Sequence, residues 1–187
     1  QVGGTMEGVG TRDELAWLLD AVARDAREWE EWFGRSIDVG GLEKERNILR
    51  YRPASTQVRG CADAKLVDVA RVVAAGLLAA GDNISVCLDP SLGEGLGRAL
   101  RSVGVAVTTA SDEDWYASLG ASRVRLVGGN PSRAADEADG DPDLALWANE
   151  VTSAPQVELL PFLREQSVSM TAHRFGNPDA GVLSVRL

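Results

Sequence analysis

The chain has 187 residues, a net charge of −9 and a mean hydropathy of −0.10. This length fits one domain whose core buries roughly 70% of the surface that the unfolded chain exposes. The acidic balance disfavours nucleic-acid binding, since phosphate backbones would be repelled. No apolar run is long enough to span a bilayer, and the N-terminus lacks the pattern of a signal peptide. These features predict a soluble, cytoplasmic protein without a membrane span.

The N-terminal part of the chain predicts one long helix. Residues 1–10 contain four glycines and no periodicity, which is typical of a linker or a cut end. Thr11 and Glu14 have the spacing of a capping box, and Gly34 is a stop signal. Apolar residues recur at steps of three and four between these signals, at Leu15, Leu18, Val22, Ala26, Trp29 and Phe33. We therefore expect one wide apolar face to pack on the domain.

The helix is followed by a strongly charged stretch, "ERNILRYRP" (residues 45–53). In an extended conformation, Ile48, Arg50 and Arg52 project to one side, while Asn47 and Tyr51 project with Leu49 to the other. The charges and the terminal proline suit an exposed edge strand.

From residue 60 onward, strand and helix patterns alternate along the chain. The predicted strands are residues 84–88, 105–109, 123–127, 144–147 and 167–171. The helices between them are predicted to begin at Asp63, Ser91, Ser111, Asn130 and Pro155. The last of these spans residues 155–166, with a kink expected at Pro161.

This alternation predicts an α/β protein with a Rossmann-like, doubly wound fold. A mostly parallel sheet would carry helices on both faces, preceded by the long N-terminal helix. We assign residues 11–53 to the helix and the charged strand, and residues 54–187 to the α/β domain. Strand order is left open.

A Rossmann-like fold raises the possibility of a dinucleotide site, and the candidate is the glycine-rich turn at Gly93, Gly95 and Gly97, with Asp112 after the next strand. The third glycine of the fingerprint should stand at position 98, which is an arginine. Asp89 and Glu94 would also place negative charge where a pyrophosphate should bind. The turn matches the fingerprint poorly, and a capped helix with small residues is the simpler interpretation.

Metal binding and covalent catalysis have little support in the sequence. One histidine and two distant cysteines do not make a zinc site of usual spacing. Cys87 lies in an apolar strand, as inert core thiols do, and Cys61 is expected in a loop without a cationic activator. A single disulfide between them is possible, but such sparse cysteine usage is more typical of a reducing compartment.

Three residues follow the last predicted strand: His173, Arg174 and Phe175. If that strand belongs to the parallel sheet, they lie at its carboxyl end, where open α/β sheets bind ligands. An arginine at this position can equally cap helix carbonyls or pair with a carboxylate.

Three stretches resemble a known family: "ERNILRYRP" (residues 45–53), "VRLVGG" (residues 124–129) and above all "VELLPFLREQSVSMTAHRFGNP" (residues 157–178). They are similar to the C-terminal part of actinobacterial bifunctional proline dehydrogenase / L-glutamate γ-semialdehyde dehydrogenases, the proline utilization A family. The resemblance extends over residues 11–178, and its last motif is long and specific.

Members of that family oxidise proline with FAD and then oxidise the hydrolysed semialdehyde to glutamate with NAD, in an aldehyde dehydrogenase module. Long members add a C-terminal domain with an aldehyde-dehydrogenase-like Rossmann fold. That domain is regarded as noncatalytic, packs on the dehydrogenase module and helps to close the channel for the intermediate. The resemblance implies that this chain is such a domain, holding neither FAD nor NAD itself, with the aldehyde dehydrogenase module of the same polypeptide as its partner.

The chain departs from the active module as this role requires. It lacks the catalytic cysteine in its glycine-rich setting, the motif of the base glutamate and a proper cofactor loop. The alternative is an independent nucleotide-binding domain or a degenerate NAD-dependent aldehyde dehydrogenase.

The resemblance turns the charged strand and the C-terminal residues into candidate interdomain contacts. One face of the strand would anchor on the domain, and the other would meet carboxylates of the partner module. A solvated edge strand is the alternative for the strand. The candidates are Arg46, Asn47, Arg50, Tyr51, Arg52, His173, Arg174 and Phe175.

Overall fold

The computed structural model describes residues 10–42, 44–120, 122–174, 177–178, 181 and 184–185. The helices in this part of the chain are α1 (Arg12–Glu28), α2 (Leu66–Ala80), α3 (Glu94–Ser102), α4 (Asp112–Ala117), α5 (Pro131–Glu137) and α6 (Pro155–Glu158). The strands are β1 (Ile37–Asp38), β2 (Glu45–Pro53), β3 (Thr56–Gly60), β4 (Ile84–Leu88), β5 (Ala106–Thr109), β6 (Arg123–Val127), β7 (Ala145–Trp147), β8 (Leu163–Thr171), β9 (His173–Arg174) and β10 (Asn177–Pro178). None of the helices among these residues is long and apolar enough to cross a membrane.

The centre of the molecule is a five-stranded parallel sheet with the strand order β5-β4-β3-β6-β7. The chain starts in the middle at β3, adds β4 and β5 on one side, and then returns to add β6 and β7 on the other. This is the winding of a Rossmann-like sheet. The predicted doubly wound fold is therefore confirmed.

Helices cover both faces of this sheet because its strands are apolar on both sides. On one face, Val58 and Val86 pack with residues of α2 and α3 and with Phe162. On the other face, Leu126 packs with Trp115 of α4 and Ala134 of α5. The two apolar clusters hold the sheet between two helical layers.

The central strand β3 was missed by the sequence analysis, although it pairs with both β4 and β6. Its sequence, TQVRG, contains buried polar residues, Thr56 and Arg59, where a central strand normally reads as a continuous apolar run. Both are paired inside the protein. Thr56 Oγ1 donates to the carbonyl oxygen of Pro161 at 3.0 Å, and Arg59 forms an ion pair with Asp112.

A second sheet lies outside the parallel one and has the order β1-β2-β8. β2 and β8 are antiparallel and pair over nine residues each, from Glu45↔Thr171 to Pro53↔Leu163. We call this pair of strands the ribbon. Residues 167–171 were predicted to continue the parallel sheet, and this was wrong. β2 lies between β1 and β8, but β1 pairs only with Ile48 and Leu49. Residues 50–53 therefore have no strand partner on that side among the described residues, and β2 is an edge strand over this part alone.

The predicted helix over residues 155–166 was also wrong. α6 has a single turn, a 3-10 turn follows over Leu160–Phe162, and β8 begins at Leu163. Pro161 has no N–H for a helical hydrogen bond, and its ring conflicts with the preceding turn. The helix therefore ends near Pro161 instead of kinking there.

The N-terminal helix forms as predicted, but it packs with a different face. Thr11 and Glu14 make the capping box, and a π-helical turn carries the helix on to Phe33 before Gly34. The side chains of Val22 and Ala26 are exposed, however, and Asp25 is buried in their place. The ion pair between Asp25 and Arg71 of α2 makes this polar side chain part of the interface.

Besides Thr11, two of the predicted helix caps are confirmed, and two are wrong. Ser111 and Asn130 accept backbone hydrogen bonds at the start of α4 and α5. Asp63 instead accepts from the amide of Gly129, and Lys65 occupies the N-cap position of α2. Ser91 lies in a 3-10 turn capped by Asp89, so that Gly93 precedes α3.

Candidate functional site

A crevice of ≈ 490 Å³ opens at the carboxyl edge of the parallel sheet. It lies between the turn after β3 and the turn after β6, where the winding of the sheet reverses. Open α/β sheets bind their ligands at this reversal. The polar residues and glycines that line it are Asp63, Lys65, Asp68, Gly128, Gly129, Asn149 and Glu150.

The turn from β3 into α2 does not fit the phosphates of a dinucleotide. The start of a long helix attracts anions, but the Asp63 carboxylate lines the same crevice, where it accepts from the Gly129 amide at 2.6 Å. Asp68 and Glu150 add further acidic groups around the crevice. Burial raises the pKa of Asp68, partly offset by the charge of Lys65. A pyrophosphate would therefore meet an acidic surface.

The turn after β6 closes tightly on the turn after β3. Gly128 and Gly129 both have positive φ, at +71° and +73°. A Cβ atom at position 129 would lie 2.5 Å from Cys61 Sγ and 2.7 Å from Tyr116 Oη. Only glycine permits both this backbone conformation and this close approach. The paired glycines of "VRLVGG" are thus explained by packing and need no ligand.

The glycine-rich turn singled out from the sequence follows β4, so it does not lie at the reversal. Asp112, the residue considered for a ribose contact, is held by Arg59 Nη2 at 2.6 Å. Asp89 accepts from the amides of Ser91 and Asp112. Burial alone would raise the pKa of Asp89, but these hydrogen bonds prevail and the pKa lies below its ordinary value. These carboxylates organise the turns after β4 and β5.

Arg59 connects the thiols with these carboxylates. Its side chain is fully buried, and Nη1 lies 3.1 Å from Cys87 Sγ and 3.0 Å from the carbonyl oxygen of Ala110. Arg59 also interacts with Cys61, although no cationic residue was expected to activate that thiol.

The cation does not activate the thiol. Burial raises the pKa of Cys61 to about 12, and the opposing effect of Arg59 is smaller. Cys61 and Cys87 are both free and buried. A thiol that stays protonated and enclosed is a poor nucleophile. Among the side chains that the structure describes, no group of acidic, histidine and cysteine residues is placed to hold a metal ion.

The ribbon contains five of the candidate contact residues. Arg46, Arg50 and Arg52 lie on one face of β2, and Asn47 and Tyr51 lie on the other. The ring of Tyr51 packs against that of Phe33, with a centroid distance of 4.8 Å in an edge-on arrangement. Tyr51 therefore anchors the ribbon to the core, as expected for one face of the strand.

The face with the arginines has further members on β8. The cross-strand partners of Arg50 and Arg52 are Gln166 and Arg164. Arg50 Nε donates to Gln166 Oε1 at 2.7 Å, whereas Arg52 is directly opposite another arginine. The sequence analysis missed Arg164 and Gln166 because it placed both in a helix. The alternation in "LREQSVSMT" is the signal that could have identified them.

The C-terminal candidates do not lie at the edge of the parallel sheet. His173 and Arg174 form β9, which pairs with β10 in an antiparallel sheet of two strands. The inference that they occupy the ligand-binding edge of an α/β sheet was wrong, because β8 belongs to the other sheet. Phe175 lies outside the described residues.

Similarity to known proteins is found among solved structures. No family model matches the chain, and no curated protein matches it. Among solved structures, the chain is similar to proline utilization A (PutA) from Corynebacterium freiburgense, with 25% identity over 94% of this chain and a TM-score of 0.57. It spans 15% of that protein's length. A succinate-semialdehyde dehydrogenase from Burkholderia pseudomallei aligns with 72% of this chain and 30% of its own, at 15% identity and a TM-score of 0.48.

Proposed function

We propose that this chain is a noncatalytic domain of a larger proline-catabolic oxidoreductase. In this proposal it packs on the aldehyde dehydrogenase module of the same polypeptide and helps to close the path of the intermediate between the two active sites. The enzyme would oxidise proline to glutamate in the cytoplasm, with FAD and NAD bound by its other modules.

One observation carries the proposal above the others. The chain aligns over 94% of its length with proline utilization A, yet covers 15% of that protein. High coverage of this chain together with low coverage of the other protein is what a single domain of a multidomain enzyme would give. The resemblance of residues 157–178 to the same family comes from a different source, the motif itself, and leads to the same parent.

The geometry of the crevice supports a noncatalytic role. A dehydrogenase of this kind needs an accessible thiolate and a place for the dinucleotide phosphates. Here, burial keeps the thiol of Cys61 protonated. The carboxylates of Asp63, Asp68 and Glu150 line the crevice in which those phosphates would have to bind. The chemistry is therefore assigned to other modules.

The ribbon supports a role in packing. Its outer strand β8 has an unpaired edge within the described chain. Eight of its nine residues, from Arg164 to Thr171, are exposed or half-buried. Such an edge can pair with a strand of a neighbouring module. We propose that the ribbon is the element that meets the aldehyde dehydrogenase module.

The test is a coupled assay of the whole polypeptide with and without these 187 residues. We expect proline-dependent NADH formation to begin without a lag in the intact enzyme and after a measurable lag in the shortened one. Each half-reaction, measured separately with its own substrate, should keep its rate. If the shortened enzyme shows no lag, the role in closing the path is refuted.

An independent nucleotide-binding domain is the second candidate, and the crevice at the reversal of the sheet is the observation in its favour. Calorimetric titration of the chain with NAD distinguishes the two functions. Saturable binding that is lost when Gly128 is replaced by valine would favour the second function. We expect no binding, because Asp63, Asp68 and Glu150 oppose a pyrophosphate.

A further inference from the structure

The outer face of the ribbon is basic, although the chain as a whole carries a net charge of −9. The side chains on this face are Arg46, Ile48, Arg50 and Arg52 along β2 and their partners Met170, Val168, Gln166 and Arg164 on β8. None of these eight residues is acidic. Ile48 is buried and Arg46 Nη1 donates to the carbonyl oxygen of Val185, so the exposed part of the face is the end with Arg52 and Arg164. We call Arg50, Arg52 and Arg164 the arginine cluster.

Two members of the arginine cluster repel each other. Arg52 and Arg164 are directly opposite each other in the register of the two strands, and like charges in this position destabilise a sheet. Arg123, which is outside the cluster, lies next to this end of the ribbon, since its Nη2 donates to the carbonyl oxygen of Leu163 at 3.0 Å. Burial and the charge of Arg164 lower the pKa of Arg123. Positive charge is therefore concentrated at the end of the ribbon where Pro53 pairs with Leu163.

The cluster is not neutralised by the rest of the described chain. Among the exposed arginines elsewhere, Arg24 pairs with Asp20 and Arg101 with Glu94, whereas Arg12, Arg27, Arg35 and Arg98 form no ion pair within the described residues. No carboxylate in the described residues forms an ion pair with Arg50, Arg52 or Arg164. Arg52 and Arg164 are exposed as well. Repulsion that lowers stability and is not relieved internally is typical of a surface selected for binding.

We propose that the arginine cluster docks an acidic segment of the aldehyde dehydrogenase module, with carboxylate side chains placed between Arg52 and Arg164. This inference rests on the proposed function. A guanidinium group offers a planar pair of donors that matches a carboxylate in two hydrogen bonds. Two such groups facing each other across the strands would hold carboxylates that bridge them. Polyanionic nucleic acid is disfavoured as the occupant because the chain as a whole carries a net charge of −9.

The first experiment tests the cluster with the chain itself and a labelled oligoglutamate peptide. Fluorescence anisotropy at low salt should show binding that weakens as salt is added. The double variant Arg52→Glu/Arg164→Glu should bind at least about fivefold more weakly, because two favourable charge contacts become repulsive. Arg98→Glu is the matched control, since Arg98 is an exposed arginine of α3 without a described ion pair. If the control weakens binding as much, or if the unmodified chain does not bind the peptide, the inference is overturned.

The double variant is suited to this test because it exchanges one like-charged pair for another. Its fold should therefore be preserved, and the thermal unfolding curve checks this. If it unfolds early, Arg52→Gln/Arg164→Gln replaces it, with the same loss of peptide binding expected.

The second experiment separates this inference from the proposed function. In the whole polypeptide, Arg52→Glu/Arg164→Glu should produce a lag in proline-dependent NADH formation, as removal of the domain does, while Arg98→Glu should not. If removing the domain produces a lag but the double variant does not, the proposed function stands and the docking site is refuted. If removing the domain produces no lag, the proposed function fails. Peptide binding alone then decides whether the cluster binds carboxylates.

Discussion

Asp25 of α1 and Arg71 of α2 form a buried ion pair with two hydrogen bonds. Arg71 Nη1 donates to Asp25 Oδ2 at 2.5 Å, and Nη2 donates to Oδ1 at 2.8 Å. The side chain of Arg71 is 0% exposed and that of Asp25 is 2% exposed. The pair is the reason that α1 turns a polar residue toward the domain and leaves Val22 outside.

Removing one member of this pair should destabilise the protein strongly. Arg71→Met leaves the Asp25 carboxylate buried without its partner, which costs about 3–5 kcal/mol. The control is Arg24→Met, which breaks the exposed pair with Asp20 on the same helix and should cost less than about 1 kcal/mol. Urea denaturation measures both. Equal effects of the two substitutions would show that the buried pair does not hold α1 in place.

Two helical glycines should respond in opposite ways to alanine. Gly76 of α2 faces Phe162, and an added Cβ would lie 2.7 Å from its Cε1 atom. Gly95 of α3 has nothing within 4 Å of the same position. Gly76→Ala should therefore destabilise by about 1–3 kcal/mol through overpacking, whereas Gly95→Ala should be neutral or stabilise by up to about 1 kcal/mol through helix propensity. Thermal unfolding of the two variants checks this, and a stabilised Gly76→Ala variant would contradict the tight contact.

The buried thiol should make stability fall at alkaline pH. The pKa of Cys61 is raised in the folded chain from 9.0 to about 12. Below pH 9 the thiol is protonated in both states and contributes no pH dependence. Between about pH 9 and pH 12 the unfolded chain releases its proton first, so the free energy of unfolding falls by up to about 1.4 kcal/mol per pH unit.

Comparison with Cys61→Ala isolates this effect from other groups that titrate in the same range. The difference in unfolding free energy between the two proteins should shrink as the pH rises from 9 to 11, which urea denaturation at each pH would measure. A constant difference would mean that the thiol ionises equally readily in the folded chain.

The opposed arginines of the ribbon should limit its stability. Arg164→Glu places a carboxylate opposite Arg52 and should stabilise the chain by about 0.5–1 kcal/mol, since an attractive cross-strand pair replaces a repulsive one. Adding Arg52→Glu should reverse the gain, because two carboxylates then face each other. A double-mutant cycle at low and high salt measures the coupling. Absence of coupling would place the two guanidinium groups too far apart to interact.

The elements that were predictable from the sequence are those fixed by near neighbours. α1 begins at Thr11 because the capping partner, Glu14, is three residues away. α5 begins after Asn130, whose side chain accepts from the amides of Ser132 and Arg133. In both cases the capping residue and its partners are at most three positions apart, so the start of the helix can be predicted from the local sequence.

The elements that were not predictable depend on distant partners. Arg59 can lie in the central strand because Asp112, 53 residues later, neutralises it. β8 is a strand because it pairs with β2, and the Arg50–Gln166 contact spans 116 residues. The reading of Val22 as a core residue failed for the same reason, since Arg71 decides which face of α1 is buried. A local pattern does not contain the partner that determines these outcomes.

The pairing of β2 with β8 also has a consequence for how the molecule assembles. β2 precedes the parallel sheet in the chain and β8 follows it, so the ribbon unites segments that leave the ribosome far apart in time. Contacts of such long sequence separation form slowly, after the more local strand–helix units. We expect that the parallel sheet and its helices are already compact in the nascent chain before β2 pairs with β8. The ribbon is then the last part of the domain to mature.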